Sequence, residues 1–344
     1  MSSQRLKIGF VGAGSMGQAA HLANYASPSL SAECEVVAIA ELRPKLAREV
    51  AARYGIPRVY ESADELLVKE KLDGIVAPQR FEYHGSIIPP LYKSRIPVLT
   101  EKPIASSVAA GEKMLTALQA AGGWHMVGYH KRSDPATMYA KAEIDRLKQS
   151  GELGKLRYIR ITMPAGDWIA GGFNGLIRSE EKVPETERDT QEDWGSPYFD
   201  FVNYYIHQVN LLRHLFGESY KVKFADKAGS LFVAESASGV TGTIELSPYK
   251  TELGWDEAAL VGFDGGYVKI ELPAPLVTNL PGRVEIRTAK GTFSPILPPV
   301  HAMRQQAINF LRAIKGEIKP LCDATEALQD LLIARDYIHL LEGN

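Results

Sequence analysis

The stretch LKIGFVGAGSMGQAAHLANY, residues 6–25, constrains this chain more than any other. An apolar run from Leu6 to Val11 leads straight into Gly12-Ala13-Gly14-Ser15-Met16-Gly17, and a helical run from Gln18 to Tyr25 follows. A strand that becomes a helix in so few residues needs a glycine for the tight turn, a second where backbone approaches a ligand, and a third for close helix-to-strand packing. Gly12, Gly14 and Gly17 stand at those three places, with Ser15 and Met16 between the last two. Such a turn aims helix amides and the positive end of the helix at an anion, and the pyrophosphate of a dinucleotide fits the spacing. A bare GxGxxG is weak; its place between strand and helix is what gives it weight. A purely structural turn is the alternative.

A second apolar run, Glu35 to Ala40, ends beside Glu41, which lies 24 residues beyond Gly17. An acid there binds the adenosine ribose hydroxyls and favours NAD over NADP. Arg43 argues the other way, since a guanidinium can pair with the extra phosphate of NADP. Both residues are equally able to cap or solvate the helix read from Pro44 to Tyr54. The expected cofactor is NAD, with NADP as the alternative.

Asp73 to Ala77, Pro97 to Thr100 and Trp124 to Tyr129 are further short apolar runs separated by helical segments. That alternation predicts right-handed crossovers and a parallel sheet, with ligands at the carboxyl ends of the strands. After about Lys131 the character changes. A helix from Met138 to Gln149 ends near Gly151, Lys155 to Thr162 reads as a strand, and residues 164–195 have no sustained period. That length suits an ordered active-site loop better than a passive linker. A helix from Pro197 to Phe216 follows, with Ser196 as its cap. The runs Ala228 to Glu235, Val240 to Ser247 and Tyr267 to Leu272 alternate as half-buried strands do, and the tail from Met303 to Leu341 returns to helix. The fold class is therefore α/β: an N-terminal Rossmann domain over residues 1–130, then an α+β domain over 131–344 with a large open, mostly antiparallel sheet. The second domain is assigned to substrate binding and oligomerisation, with the C-terminal helices packing back on the first.

At 344 residues the chain can bury two cores. Its 45% hydrophobic and 23% charged residues and net charge of -2 describe an ordinary globular surface, which argues against nucleic acid as a partner. No apolar run reaches membrane-spanning length and none reads as a secretory signal, so a cytoplasmic protein without a membrane partner is expected. Cys34 and Cys322 match no metal-ligand spacing and read as separate reduced thiols, a disulfide being the alternative. No set of His, Cys, Asp and Glu establishes a metal site, and none is expected.

Three features together resemble the Gfo/Idh/MocA family of oxidoreductases, which includes glucose-fructose oxidoreductase and inositol dehydrogenase: GAGSMG at the start, Glu101-Lys102-Pro103 after the run ending near Thr100, and NYYIHQVNLLRHLFG, residues 203–217. The likeness runs over almost the whole chain. It implies hydride transfer between nicotinamide and a secondary alcohol of a sugar, glycoside or polyol, with Lys102 pointing at nicotinamide and substrate and His207 as the catalytic histidine. Bottom-up chemistry agrees. A cation at the carboxyl edge of a sheet can orient a hydroxyl and stabilise developing alkoxide, and an imidazole with a pKa of about 6.5 can exchange the proton. On residues alone, His207 is equally a packed helical histidine, and Glu101 and Lys102 a solvated charge pair.

The resemblance also extends to APQRFEYH, residues 77–84, where Pro78 and Gln79 would shape the nicotinamide pocket and His84 would stabilise the following helix start. It covers GYHKRSDP, residues 128–135, where Lys131, or Arg132, would reach substrate; a solvated positive edge is the other reading. Asp167 and Trp168 in the long loop can bind hydroxyls and cover a sugar ring, and Arg178 is a weaker candidate. Asn203, four residues before His207, is expected to share its helix face and contact substrate. Relatives commonly carry an acid there, and often another at the position of Asn210; amides orient hydroxyls but cannot act as carboxylate bases. This departure keeps open a keto-sugar reductase, a sugar-modifying lyase or glycosidase working by transient oxidation with retained NAD, and a non-catalytic dinucleotide-dependent regulator. The family's habit implies a homodimer or homotetramer.

Overall fold

The computed structural model describes residues 5–189, 195–246, 249–250 and 254–343. The chain divides into two compact units. The first comprises Met1–Gly128, Gly172–Asp193 and Gln306–Gln329; the second comprises Tyr129–Gly171, Trp194–Gln305 and Asp330–Asn344.

In the first unit Leu6–Val11 forms β1, Cys34–Ala40 β2, Arg58–Tyr60 β3, Gly74–Ala77 β4, Val98–Glu101 β5 and His125–Gly128 β6. They make one six-stranded sheet in the order β3-β2-β1-β4-β5-β6, every neighbouring pair parallel. Helices cover a parallel sheet on both faces, which is why β4, β5 and β6 are buried at every residue and read as continuous runs. Helix Pro44–Tyr54 shows the complementary logic: Leu46, Ala47, Val50 and Ala51 form a buried stripe, Pro44 opens the first turn, and Gly55 at φ +67° ends the last. The strand order reverses direction between β1 and β4, so the carboxyl ends of these two strands flank the place where open α/β sheets take ligands.

The second unit holds an eight-stranded sheet. Its strands are β7 Leu156–Thr162, β8 Tyr220–Ala225, β9 Leu231–Ser236, β10 Thr241–Glu245, β11 Glu257–Phe263, β12 Gly266–Leu272, β13 Arg283–Thr288 and β14 Gly291–Phe293. The order is β14-β13-β12-β11-β7-β10-β9-β8, antiparallel throughout except where β10 runs parallel to β7. Alternate residues of β11 are buried, as in a sheet with one packed face. Helix Ile206–Phe216 lies in this unit, tied down where the Tyr220 hydroxyl donates to the Val209 carbonyl at 3.0 Å.

Three segments differ from the expectation. Residues 164–195 are not one loop of the second domain, because 172–189 are strapped to the Rossmann unit: Gln18 exchanges hydrogen bonds with Ile177 at 2.9 and 3.0 Å, and Asp189 accepts from the Gly85 amide at 2.8 Å. The helix read over 197–216 is two, Gly195–Tyr204 and Ile206–Phe216, and Ser196, read as its cap, falls within the bounds of the first. The tail is also two helices, Ala302–Ile314 and Ala324–Glu342, because Gly316 takes φ +73° and Pro320 has no amide to donate. The segment between them lies along β6, where Val127 donates to the Cys322 carbonyl at 2.9 Å. Cys34 and Cys322 are both buried and form no disulfide, and among the described residues no helix is long and apolar enough to cross a membrane.

Buried charge fixes helix Ile206–Phe216 in place. Asp330 accepts from Asn210 Nδ2 at 2.7 Å and from Arg213 through both Nε and a terminal nitrogen, while Arg132 Nε donates to Asn210 Oδ1 at 2.7 Å. Burial pushes the Asp330 carboxyl up, opposed by Arg213 and Arg132. Asp330→Ala would leave buried donors without their acceptor and is expected to cost about 3–5 kcal/mol. In urea denaturation that appears as a lower midpoint at unchanged slope, whereas Arg146→Ala, which breaks pairs with the side chain half exposed, moves the midpoint far less.

Candidate active site

In the first unit the glycine turn is held by its own surroundings. Gly12 has φ +103°, and a Cβ there would stand 2.3 Å from Gln79 Nε2. That nitrogen donates to the Val11 carbonyl at 2.6 Å, so Gln79 ties the end of β4 to the end of β1. At Gly17 a Cβ would meet Pro78 Cγ at 3.1 Å and the Gly12 carbonyl oxygen at 3.3 Å. Gly14 is different: no atom lies within 4 Å of its Cβ position. The outer glycines satisfy contacts of the chain, and the middle one faces open space. Ser15 and Met16 start the helix, which continues as a π-helical stretch over Gly17–Leu22.

Glu41 and Arg43, opposed in the sequence reading, form a single unit. The Glu41 carboxylate accepts from the Ala13 amide at 2.8 Å and from Arg43 through its amide, Nε at 2.8 Å and a terminal nitrogen at 3.0 Å. The hydrogen bond to Glu41 raises the Arg43 pKa against the effect of burial. Glu41 thereby couples the end of β2 to the glycine turn, and its forked contact occupies the guanidinium donors nearest to it.

At the end of β5, Glu101 is buried and its Oε1 meets His21 Nε2 at 2.6 Å. Burial pushes the Glu101 carboxyl up, but the His21 hydrogen bond, the His21 and Lys102 charges and the Lys102 amide together hold it below its ordinary value. Lys102 follows, half-buried, with a cis bond to Pro103. His84 is buried at the start of helix His84–Tyr92, its ring nitrogens bonded to the Ile104 and Gln79 carbonyls at 3.0 and 3.2 Å. Burial lowers its pKa. His84 thus joins the loop after β4 to the loop after β5.

In the second unit His207 is half-buried in the first turn of its helix. Its ring meets Tyr129 edge-on at 5.9 Å and His130 edge-on at 4.5 Å between centroids. Lys131 is buried and paired with Glu257, which also accepts from Gln208 Nε2 at 2.7 Å and Trp255 Nε1 at 3.2 Å. Lys131 borders a pocket with His130, Asp134, Leu272 and His301. Burial pushes the Asp134 carboxyl to about 6. Asn203 is exposed and lies in the helix that ends at Tyr204, while His207 lies in the one that starts at Ile206. Asp167 is exposed and holds its own turn by accepting from Ile169 and Ala170 amides at 3.0 and 2.9 Å. Trp168 is half-buried and its carbonyl accepts from Leu276 at 3.3 Å.

His21, Glu257 and Asp330 escaped the sequence reading. Their one signal is an ionisable residue on an otherwise apolar stripe, as in EAALVGF for Glu257 and ALQDLLIA for Asp330.

Residues 6–129 match the model of an oxidoreductase family with an NAD-binding Rossmann fold, Gfo/Idh/MocA. The chain is 25% identical to an inositol 2-dehydrogenase of Acidothermus cellulolyticus over 82% of its own length and 77% of the relative's. It is 24% identical to a D-apiose dehydrogenase of Paraburkholderia graminis over 90% and 82%. In fold it is similar to the WlbA dehydrogenase of Bordetella pertussis, solved in complex with NADH and UDP-GlcNAcA, at a TM-score of 0.72 and 17% identity, covering 100% of this chain and 97% of that one. With the glycine turn at the switch point of a 3-2-1-4-5-6 parallel sheet, the chain is an NAD-binding oxidoreductase, similar over its Rossmann segment to the Gfo/Idh/MocA family.

Proposed function

We propose that this enzyme transfers hydride between NAD and a secondary hydroxyl of a sugar, glycoside or polyol. The observation that carries the reading is the open face over Gly14, with Lys102 on the same carboxyl edge of the sheet at the end of β5. Relatives are named for inositol, a polyol, and D-apiose, a sugar, which supports that substrate class. Bound NAD supplies the hydride acceptor. Gly12, Gly14, Ser15, Met16 and Gly17 hold its pyrophosphate against the helix amides, Glu41 with Arg43 takes the adenosine ribose, and Pro78, Gln79, His84 and Glu101 shape the nicotinamide end.

Lys102 orients the reacting oxygen and stabilises charge as its proton leaves. Glu101, bonded to His21, keeps a negative charge beside Lys102. His207 takes the proton; the Tyr129 and His130 rings fix the plane of its imidazole. Lys131, Asn203, Asp167 and Trp168 are the substrate contacts of this reading. The enzyme works as a homodimer or homotetramer in the cytoplasm.

Product analysis by mass spectrometry over a panel of sugars, polyols and glycosides, with absorbance of reduced cofactor, tests this. A ketone with equimolar NADH is expected; cleaved glycoside without net NADH overturns it. His207→Asn and Lys102→Met should each lower kcat by about 10²–10⁴-fold, His207→Asn with NAD affinity unchanged. The glycines separate fold from ligand. Gly12→Ala is strained at φ +103° and crowded by Gln79, so thermal melting should show a loss of roughly 1–3 kcal/mol. Gly14→Ala should leave Tm unchanged while titration shows weakened NAD binding, because its Cβ enters the open space.

A further inference from the structure

The 172–189 strap reaches the adenosine end of the nucleotide site. Helix Pro44–Tyr54 starts directly after Glu41 and Arg43, and its N-cap, Arg43, offers no side-chain acceptor to the first-turn amides. A distant residue takes them instead. Glu181 Oε1 accepts from the Lys45 amide and Oε2 from the Leu46 amide, each at 3.0 Å. Ser179 Oγ donates to Glu181 Oε2 at 2.8 Å, and the strap is fastened just before them by Gly175, whose carbonyl accepts from Arg53, and by Ile177 on Gln18.

The end of β2 therefore gathers two carboxylates, Glu41 and Glu181, about one guanidinium, Arg43. NAD brings two neutral ribose hydroxyls to such a place. NADP brings a phosphate monoester carrying about -1.5 to -2 charges near neutral pH. Binding it calls for guanidinium donors, open helix amides or a positive balance. The guanidinium is forked onto Glu41, the amides are held by Glu181, and the three side chains sum to a negative charge.

We propose that Glu181 is a specificity residue for the cofactor, excluding the ribose phosphate of NADP by filling its anion position with a carboxylate of the chain itself. The inference rests on the reading that the glycine turn binds NAD with Glu41 at the ribose. Nothing in the Rossmann segment itself discloses it, because Glu181 follows Glu41 by 140 residues.

The test is calorimetric titration of NAD and of NADP into the wild type, Glu181→Gln and Glu181→Ala, far below each protein's Tm. Removing the carboxylate should tighten NADP relative to NAD on the order of ten-fold, the effect of losing one adjacent like charge. An unchanged ratio with NAD binding intact, as for a residue that merely caps the helix, overturns the proposal; so does a wild type that binds both cofactors equally. A wild type that binds neither overturns the dinucleotide reading beneath it. Glu181→Gln keeps side-chain size and one acceptor, so it carries the comparison if Glu181→Ala proves unstable.

Discussion

Everything at the nucleotide side depends on one backbone constraint: β1 has to leave the centre of a sheet and become a helix without passing over the space beyond its carboxyl end. Gly12 meets it with a left-handed φ of +103°, in van der Waals reach of Gln79. Because Gln79 also bonds the Val11 carbonyl, the turn after β1 and the turn after β4 are set by the same side chain. His84 then passes that position on to the loop after β5, and Glu41 ties the turn to the end of β2. Four strand ends are thus fixed by side-chain to backbone bonds, and the opening over Gly14 is what their fixed positions leave. A site built this way is preorganised, so ligand binding need not order the loops first.

The second unit solves a different problem, holding an imidazole still while leaving it accessible. Helix Ile206–Phe216 carries His207 at its start, where a helix has least intrinsic support. Gln208 on Glu257, Asn210 and Arg213 on Asp330, and the Tyr129 and His130 rings fix the first two turns from several directions. Buried ion pairs add little net stability over apolar packing, but they penalise wrong geometry heavily, since a displaced partner leaves charge without compensation. That asymmetry suits a residue whose orientation matters more than its burial.

Much of this was legible in the sequence. The glycine turn, the strands β1, β2, β4, β5 and β6 and helix Pro44–Tyr54 follow from apolar period and glycine or proline punctuation, which are local properties. β3 was not, because an edge strand of three residues with Arg58 and Val59 exposed carries no apolar run. The helix break at Tyr205 left no trace, since neither glycine nor proline marks it and the residue keeps helical dihedrals. Least visible were the long-range partners. The strap looked like a loop of the second domain because its composition is polar; its allegiance comes from hydrogen bonds such as Glu181 on the Lys45 amide, between residues with no sequence relationship. Glu41 and Arg43 were each readable, but their mutual bond turns two rival signals into one.

The same partners explain the feature that fitted the family pattern worst. An amide at position 210, where relatives often carry an acid, looks like lost chemistry when the helix is read alone. In the folded unit Asn210 stands between Arg132, which donates to its oxygen, and Asp330, which accepts from its nitrogen at 2.7 Å. An aspartate there would satisfy Arg132 but place a second carboxylate against Asp330, both fully buried. Two carboxylates at that separation cannot both ionise, so one would have to take a proton and the bond to Arg213 would weaken with it. Asparagine has a donor for one neighbour and an acceptor for the other, and is the residue that this pair of partners permits. The helix's environment holds a negative charge in Asp330 on the C-terminal helix, where it is engaged by Arg213 and Asn210. In the proposed mechanism, proton exchange falls to His207 without a carboxylate from its own helix, which places the weight of the chemistry on the imidazole and on the rings that orient it.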